Sequence, residues 1–367
     1  MTIRHIVSVS GGKDSLATLL IAIERFGLAA VMAIFCDTGN EHELVYEYLG
    51  YLESALGIKI HRLKASFDDQ IAAKRMFIAR DKRTRRSYDT VVRKDAAGNI
   101  IYRMDNNGLP MLEPVWKSGV MDLVGVPKTK KANGKKTRWS NKAKRRALEF
   151  LKPTGNPYLD LCMWKGRFPS RKAQFCTEFL KRNPAVEFQL EVQEQGYTVV
   201  SWQGVRCDES AARRNAKPFE KLGADFYIYR PIAFWSAMDV FAYCASKGIK
   251  PNPLYMMGMN RVGCMPCINV AKSELREIAS RFPDHISKIG EWEWFVAACS
   301  KRQAATFIPA PTRGKKITDQ KAYAAKNDIY SVVEWSKTTR GGNQYDLLAN
   351  LSESSGCSSS YGLCDNG

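Results

Sequence analysis

The chain has 367 residues, 56 Lys+Arg against 37 Asp+Glu, a formal net charge of +19 and 45% hydrophobic residues. That length suits two domains or one large α/β domain with insertions, and the apolar fraction excludes disorder throughout. The longest apolar run, Gly27 to Cys36, falls far short of the roughly 20 residues of a membrane span. The N-terminus leads straight into a core-like strand with no signal peptide, so the expectation is a soluble, cytoplasmic protein with no membrane partner. Ten cysteines are too sparse for a disulfide scaffold, and those that cluster point to metal or redox chemistry. The basic surplus suits a polyanionic partner, either nucleotide phosphates or a nucleic acid.

Ile3 to Val9 reads as a buried strand ending at Ser10-Gly11-Gly12. Asp14 to Phe26 then places Leu16, Leu19, Leu20 and Ile23 at helical spacing and closes on Gly27. Val31 to Cys36 predicts a second strand, Glu41 to Leu56 a second helix, and Ile58 to Leu63 a third strand. The β-α-β-α-β rhythm predicts an α/β fold, a parallel twisted sheet with helices on both faces. Ligands bind such sheets beyond the carboxyl ends of the strands.

Regularity fails between Lys74 and Lys152. Lys74 to Lys94 holds nine basic and two acidic residues, Asp95-Ala96-Ala97-Gly98-Asn99 reads as a hairpin turn, and Lys128 to Arg146 holds ten Lys/Arg and no acid. Residues 74–152 are therefore expected to form a basic insertion, partly mobile, in a domain made of 1–73 and 153–307. A helix at Ala185 to Gln195, a strand at Thr198 to Trp202 and a helix at Ala237 to Lys247 resume the pattern. Residues 308–367 read as a polar C-terminal tail. No internal repeat is found.

Ser10-Gly11-Gly12-Lys13-Asp14-Ser15 lies between a strand and a helix, where free amides, the helix dipole, two hydroxyls and Lys13 suit a phosphate. The spacing differs from the GxxxxGK[ST] loop of common nucleoside triphosphatases. It resembles instead the pyrophosphate loop of the N-type ATP pyrophosphatases, within the adenine nucleotide alpha hydrolase-like superfamily. Further segments in order resemble the phosphoadenylyl-sulfate (PAPS) reductase family. These are Cys36-Asp37-Thr38-Gly39-Asn40-Glu41, Gly204-Val205-Arg206-Cys207-Asp208-Glu209-Ser210 with Arg213 and Arg214, Arg230-Pro231-Ile232, and Pro251-Asn252-Pro253-Leu254-Tyr255 through Cys264-Met265-Pro266-Cys267.

The resemblance implies that Ser10, Gly11, Gly12, Lys13, Asp14 and Ser15 cradle the nucleotide phosphates. It implies that Asp37, Thr38 and Gly39 hold the adenosine, and that Arg206, Glu209, Ser210, Arg213 and Arg214 bind phosphate or sulfate. Guanidinium groups suit that task because they pair bidentately with such oxygens, and Glu209 can orient one of them. The implied nucleotide is ATP with Mg²⁺, or PAPS or its adenylyl-sulfate relative, APS.

The C-x-x-C of Cys264 and Cys267 offers two thiolates to one metal. Cys176 matches one cysteine of the Cys-Cys pair that holds a [4Fe–4S] cluster in the adenylyl-sulfate reductase branch, the other position being Phe175. Cys207 is the expected fourth ligand, because its motif folds back toward the nucleotide. Four thiolates suit a cubane cluster, with zinc as the alternative. Cys36, Cys162, Cys244 and Cys299 read as core residues. In the tail, Cys357 and Cys364 are candidate nucleophiles, although the Glu-Cys-Gly-Leu/Ile-His pattern of sulfonucleotide reductases is absent.

Three functions follow. The first is an ATP pyrophosphatase-type enzyme that adenylates an acceptor, expected to be DNA or RNA, for sulfur transfer from a sulfur donor, with Lys13, Asp14 and Arg206 as catalytic residues. The second is a sulfonucleotide reductase served by a thioredoxin-like reductant, with a tail cysteine attacking sulfur. The third is a non-catalytic nucleotide- or nucleic-acid-binding protein. Tyr88, Tyr102, Trp116 and Trp139, interspersed with basic residues, suit base stacking on the insertion.

Overall fold

In the computed structural model, residues 2–83, 86–117, 120–136, 138–210, 213–308 and 320–339 are described. The chain divides into two compact units, one of residues Met1–Arg75 with Arg145–Gly367 and one of Met76–Lys144.

The larger unit is built on a six-stranded sheet. Its strands are β1 (Ile3–Ser8), β2 (Val31–Asp37), β3 (Ile60–Lys64), β8 (Thr198–Trp202), β9 (Phe219–Lys221) and β10 (Phe226–Tyr229). Their order is β3-β2-β1-β8-β10-β9, parallel except for the antiparallel edge strand β9. Helix α1 (Lys13–Phe26) follows β1, and α2 (Glu43–Leu56) and α3 (Asp68–Ala79) follow β2 and β3. The α/β architecture expected from the hydrophobic rhythm is the one observed. Helix α1 begins at Gly12 and stops at Gly27, as its glycines suggest, while α2 begins two residues later than expected because His42 caps it, accepting from the Leu44 amide.

Ile6, Ile34, Val192 and Val199 form one buried cluster, which fastens α7 (Asn183–Glu194) to β1, β2 and β8. Central strand β1 is buried on both faces, with Ile6 and Val7 fully enclosed, as parallel strands flanked by helices should be. The sheet switches direction of winding between β1 and β8, which opens a crevice at their carboxyl ends.

Helix α4 (Asn141–Phe150) leads back into the larger unit. There α5 (Pro157–Lys165) precedes α6 (Phe175–Thr177), which runs through a π-helical turn at Glu178–Arg182 into α7. Beyond the sheet come α8 (Ala237–Ser246), α9 (Pro253–Met256), α10 (Lys272–Arg281), α11 (Pro283–Cys299), α12 (Gln320–Ala325) and α13 (Ile329–Ser336). No helix among the described residues is long and apolar enough to cross a membrane.

The smaller unit is made of hairpins. Strands β4 (Arg86–Val92) and β7 (Thr129–Lys136) pair antiparallel, as do β5 (Leu112–Lys117) and β6 (Val120–Gly125). Between β4 and β5 lies a short repeat, although none was expected from the sequence. Arg93–Tyr102 and Arg103–Leu112 share Arg, Asp and Gly at corresponding positions. Each forms the same small hairpin. The Asp95 and Asp105 amides donate to the Asn99 and Leu109 carbonyls, and Gly98 and Gly108 donate back to the aspartate carbonyls. Both glycines have positive φ, +90° and +79°, which only glycine adopts without strain. The repeat escaped detection because the positions between these three residues differ in size and polarity.

The expected base-stacking aromatics also separate. Tyr88 is exposed and Tyr102 half-buried, whereas Trp139 is buried, its amide donating to Asp81. Trp139 is part of the packing and is not available to a base.

The C-terminal helices are fastened through Glu293 on α11. Its buried carboxyl accepts from the Phe307 amide at 2.6 Å and the Ile329 amide at 2.9 Å. Burial outweighs those two bonds and pushes its pKa up to about 7. An unfolded glutamate titrates near its ordinary value of 4.5, so the folded state holds the extra proton between these pH values. The corresponding stability is present at low pH and lost as pH rises through 7. Denaturant unfolding should therefore show a contribution of about 2 kcal/mol disappearing between about pH 5.5 and 8. Glu293→Gln should flatten that part of the profile, and an unchanged slope would refute the assignment.

Candidate functional site

A cleft of about 700 Å³ opens at the carboxyl ends of β1, β2 and β8. Ser10, Gly12, Lys13, Asp14 and Ser15 line one wall. The loop is tied internally, the Ser10 amide donating to Ser15 Oγ at 3.0 Å and Ser15 Oγ to the Gly12 carbonyl at 2.9 Å. The segment around α9 grips it from outside. Asn252 Nδ2 donates to the Gly11 carbonyl at 3.2 Å, and the Lys13 amide donates to Tyr255 Oη at 3.1 Å. The Ser10 and Lys13 amides are thus engaged within the protein, whereas the sequence suggested a loop of free donors. The Asn252–Tyr255 segment has a physical task, holding the loop in shape.

Charge is organised around Asp14. Its carboxylate meets Lys13 Nζ at 3.1 Å and Arg206 Nε at 2.6 Å. Arg206 is 4% exposed, and its second edge reaches Asp208 at 2.6 Å. Burial works against the Arg206 charge, but Asp14 and Asp208 outweigh it and hold the pKa up. The orienting carboxylates of Arg206 are therefore Asp14 and Asp208, whereas Glu209 contacts Arg213. Arg213 lines the cleft, and Arg214 and Ser210 are exposed. Lys13, Lys181, Arg182, Arg206, Arg213 and Arg261 face the cleft against Asp14, Glu41, Glu209 and Glu274, leaving a cationic surplus.

The turn after β2 is closed by its own side chains. Asp37 Oδ1 accepts from the Gly39 amide at 2.9 Å and from Tyr46 Oη at 2.8 Å. Thr38 Oγ1 donates to Glu41, Asn156 Nδ2 donates to the Gly39 carbonyl at 2.7 Å, and the Tyr158 amide donates to the Thr38 carbonyl at 3.0 Å. Asp37, Thr38 and Gly39 are thus occupied in shaping the turn, while Cys36 and Glu41 on either side reach the cleft.

This turn is bound directly to the C-x-x-C. Thr38 Oγ1 lies 3.4 Å and Glu41 Oε1 3.6 Å from Cys264 Sγ, and the Met265 amide donates to the Asn40 carbonyl at 2.7 Å. Lys181, from the π-helical turn, lines the cleft, and a Cys264 thiolate raises its pKa against desolvation, with Glu41 and Cys267 assisting. Burial pushes the Cys264 thiol up to about 12 despite Lys181.

Cys162, Cys176, Cys264 and Cys267 are the thiols that act on Tyr158, whose phenol burial holds neutral. Tyr158 Oη is buried with no hydrogen-bond partner. Cys207 instead turns its Sγ toward the Ala216 carbonyl at 3.7 Å. Cys267 acts electrostatically on both Cys176 and Cys264, while Cys162 is fully buried, as the sequence reading of a core residue expects, with Cys176 close enough to raise its pKa. Tyr158 and Cys162 lie one turn apart on α5, a spacing that could have flagged the pair. Among the described residues, the three-ligand group drawn within 4.8 Å is His42, Glu43 and His285, not the thiols. Mononuclear zinc needs its sulfurs closer than about 4 Å, given Zn–S bonds of about 2.3 Å. A cubane holds its ligand sulfurs farther apart, and the buried Tyr158 hydroxyl without a hydrogen-bond partner is a group that a sulfur acceptor beside these thiols would satisfy. Cys244 and Cys299 are buried as expected, and Cys36 is half-buried with Sγ 3.3 Å from the Lys181 carbonyl. Cys357 and Cys364 lie outside the described residues.

With this geometry in place, likeness to known proteins becomes informative. The phosphoadenosine phosphosulfate reductase domain matches residues 4–109 and 135–270. The chain belongs to that family. A relative described as an "uncharacterized 37.8 kDa protein in gpa 5'region" of Escherichia phage 186 is 42% identical over 370 residues, covering 98% of this chain and 96% of the relative. Adenosine 5'-phosphosulfate reductase of Neisseria meningitidis serogroup A is 35% identical over 75 residues, 20% of this chain and 31% of the enzyme. PAPS reductase from Candida auris, solved as a phosphate complex, aligns with 72% of this chain and 82% of that one at 14% identity and a TM-score of 0.36.

The family's loop and Arg segment meet at Gly204. A Cβ there would sit 2.7 Å from the Asp14 backbone carbon and oxygen and 2.9 Å from the Ser15 nitrogen. Gly204→Ala should displace the phosphate loop and weaken adenine-nucleotide binding about tenfold or more, measured by calorimetry. Wild-type affinity in that variant would show that the loop tolerates the displacement.

Proposed function

We propose that this PAPS reductase-family chain is an adenine-nucleotide-dependent enzyme that activates an acceptor, a nucleic acid, by adenylation for sulfur transfer. The observation that carries this reading is the Lys13–Asp14–Arg206 chain of charge across the cleft, set at the helix N-terminus that follows β1. ATP enters with its β,γ-phosphates toward the loop and Lys13, accompanied by Mg²⁺. Its adenosine lies toward Ile34, Phe35 and Val186, which give the cleft an apolar side. Arg206, Arg213 and Lys181 neutralise the α-phosphate region. An acceptor oxygen attacks the α-phosphorus, the bond to the bridging oxygen of the β-phosphate breaks, and pyrophosphate leaves. A sulfur donor then displaces AMP from the activated centre. Catalysis of this kind is positioning and charge neutralisation, and it needs no covalent enzyme intermediate.

The thiols assigned to a [4Fe–4S] cluster are Cys176, Cys264 and Cys267, with Cys162 as the fourth in place of Cys207. When bound, such a cluster supplies electron-transfer or sulfur chemistry beside the nucleotide. Lys181 places a positive charge at that point on the cleft wall, and Tyr158 offers a hydroxyl to a sulfur acceptor. Anaerobic iron and acid-labile sulfide analysis tests the ligand set. Cys264→Ser and Cys162→Ser should lose most of the iron and Cys207→Ser should keep it; the reverse pattern for Cys162 and Cys207 would restore the sequence-based assignment.

Pyrophosphate release from ATP should be stimulated by nucleic acid and fall about 100-fold in Lys13→Ala. The partial matches to adenosine 5'-phosphosulfate reductases favour a second reading, sulfonucleotide reduction. Here a tail cysteine, Cys357 or Cys364, attacks the sulfate sulfur, the sulfur–oxygen bond to the nucleotide phosphate breaks and AMP (or its 3'-phosphate) leaves. A thioredoxin-like dithiol then attacks the cysteine sulfur of the S-sulfonate, expelling sulfite and ending as a disulfide. Sulfite release from APS or PAPS that disappears in Cys357→Ser/Cys364→Ser, with no pyrophosphate release from ATP, would replace the first reading with the second.

A further inference from the structure

The Met76–Lys144 unit carries 17 Lys+Arg and six Asp+Glu, yet its strands pair only two by two. A two-stranded ribbon is marginal in water by itself. The arrangement of its charges follows from the ladder. Val91 pairs with Lys130, and the Arg93 amide carries the same register on to the Lys128 carbonyl. The first decapeptide hairpin is then looped out, and the Arg103 amide donates to the Val126 carbonyl. After the second hairpin, Glu113 pairs with Val124. Ten residues of the outgoing chain therefore pass for every two of the returning chain.

Side chains two apart on a strand share a face. Lys130, Lys128, Arg93 and Arg103 consequently fall on one face of the ribbon. All four are exposed; positions two apart along a strand are about 7 Å apart, and the directly opposed Arg93 and Lys128 are about 5 Å apart. Arg93 and Lys128 are cross-strand neighbours, an arrangement of like charges that destabilises a ribbon on its own. The nearby acids do not relieve it. Asp95 spends its carboxylate on the Asn99 amide and side chain, and Asp105 on the Asn107 and Leu109 amides. Among the described residues none of the four cations forms an ion pair. Lys131 and Thr129 occupy the opposite face.

We propose that this face binds duplex DNA, with Lys130, Lys128, Arg93 and Arg103 each meeting a backbone phosphate. The proposal rests on the nucleic-acid reading above and makes it specific. A two-stranded ribbon matches the major groove of B-form DNA, about 12 Å wide, whereas the A-form major groove of duplex RNA is too narrow and deep for it. Four phosphate contacts steepen the salt dependence by about 3.6 in the log–log slope, at about 0.9 per phosphate.

The test uses the full chain and a fluorescein-labelled 24-base-pair DNA duplex (about two turns), with the matching RNA duplex as comparator, followed by anisotropy across salt concentrations. Wild type should favour the DNA. Arg93→Ala/Arg103→Ala/Lys128→Ala/Lys130→Ala should weaken binding at least 100-fold at moderate salt and flatten the slope by three to four. Lys131→Ala should change affinity less than threefold. Arg93→Lys/Arg103→Lys should retain binding, separating lost charge from lost fold. ATP binding in the cleft should be unaffected by all of these and lost only in Lys13→Ala, so failure of the arm and failure of the nucleotide reading are distinguishable. Undiminished DNA binding by the quadruple variant, equal loss from Lys131→Ala, or equal affinity for the RNA duplex would each overturn the proposal.

Discussion

The carboxylate of Asp14 holds the site together. It stands in the first turn of α1, where the helix dipole favours a negative charge, and its two oxygens reach Lys13 and Arg206. Arg206 comes from the far side of the sheet's switch point, after β8. One carboxylate thereby joins the chain ends leaving β1 and β8, the two strands whose divergence creates the cleft. Arg206 is buried, so its charge requires partners, and removing one would leave an uncompensated cation in a poorly solvated place. A nucleotide phosphate entering the cleft meets Lys13 and Arg206 already fixed in position, with little side-chain entropy left to lose.

A second tie runs from the turn after β2 to the C-x-x-C. Glu41 and Thr38 close that turn and simultaneously approach Cys264. Lys181 reaches the same place from the π-helical turn, where one extra residue per turn alters the direction of a side chain relative to a regular helix. Nucleotide cleft and thiols are therefore neighbours through a few side chains. A change in charge at the thiols acts on Lys181, which lines the cleft.

The parallel core was legible because it depends on local signals: apolar runs of strand length, helical spacing, and glycine at turns. Gly12 and Gly27 bracket α1 in sequence and in space. The phosphate loop was legible for the same reason. What pairs with what across the chain was not. Cys207 sits inside the Arg motif, and its thiol turns toward Ala216, while Cys162 is buried, as its apolar and aromatic sequence neighbours suggest, with Cys176 close enough to act on it. Sequence neighbours show neither contact. Glu209 contacts Arg213, one of the guanidinium groups of its motif, as the sequence suggests, whereas the pairing of Arg206 with Asp14 across the chain is not visible in spacing. Trp139 looked like an aromatic in a basic run, but the backbone bond to Asp81 turns it inward.

The decapeptide hairpins have a consequence for how such an arm can vary. Each unit advances the pairing of the returning strand by two residues, Lys128 to Val126 to Val124. Two is an even step. Removing or duplicating one unit, with its two-residue complement, would shorten or lengthen the ribbon by one rung while every remaining side chain kept its side. An odd step would have turned the rest of the arm over. The ribbon can thus gain or lose length without changing which side chains share a face.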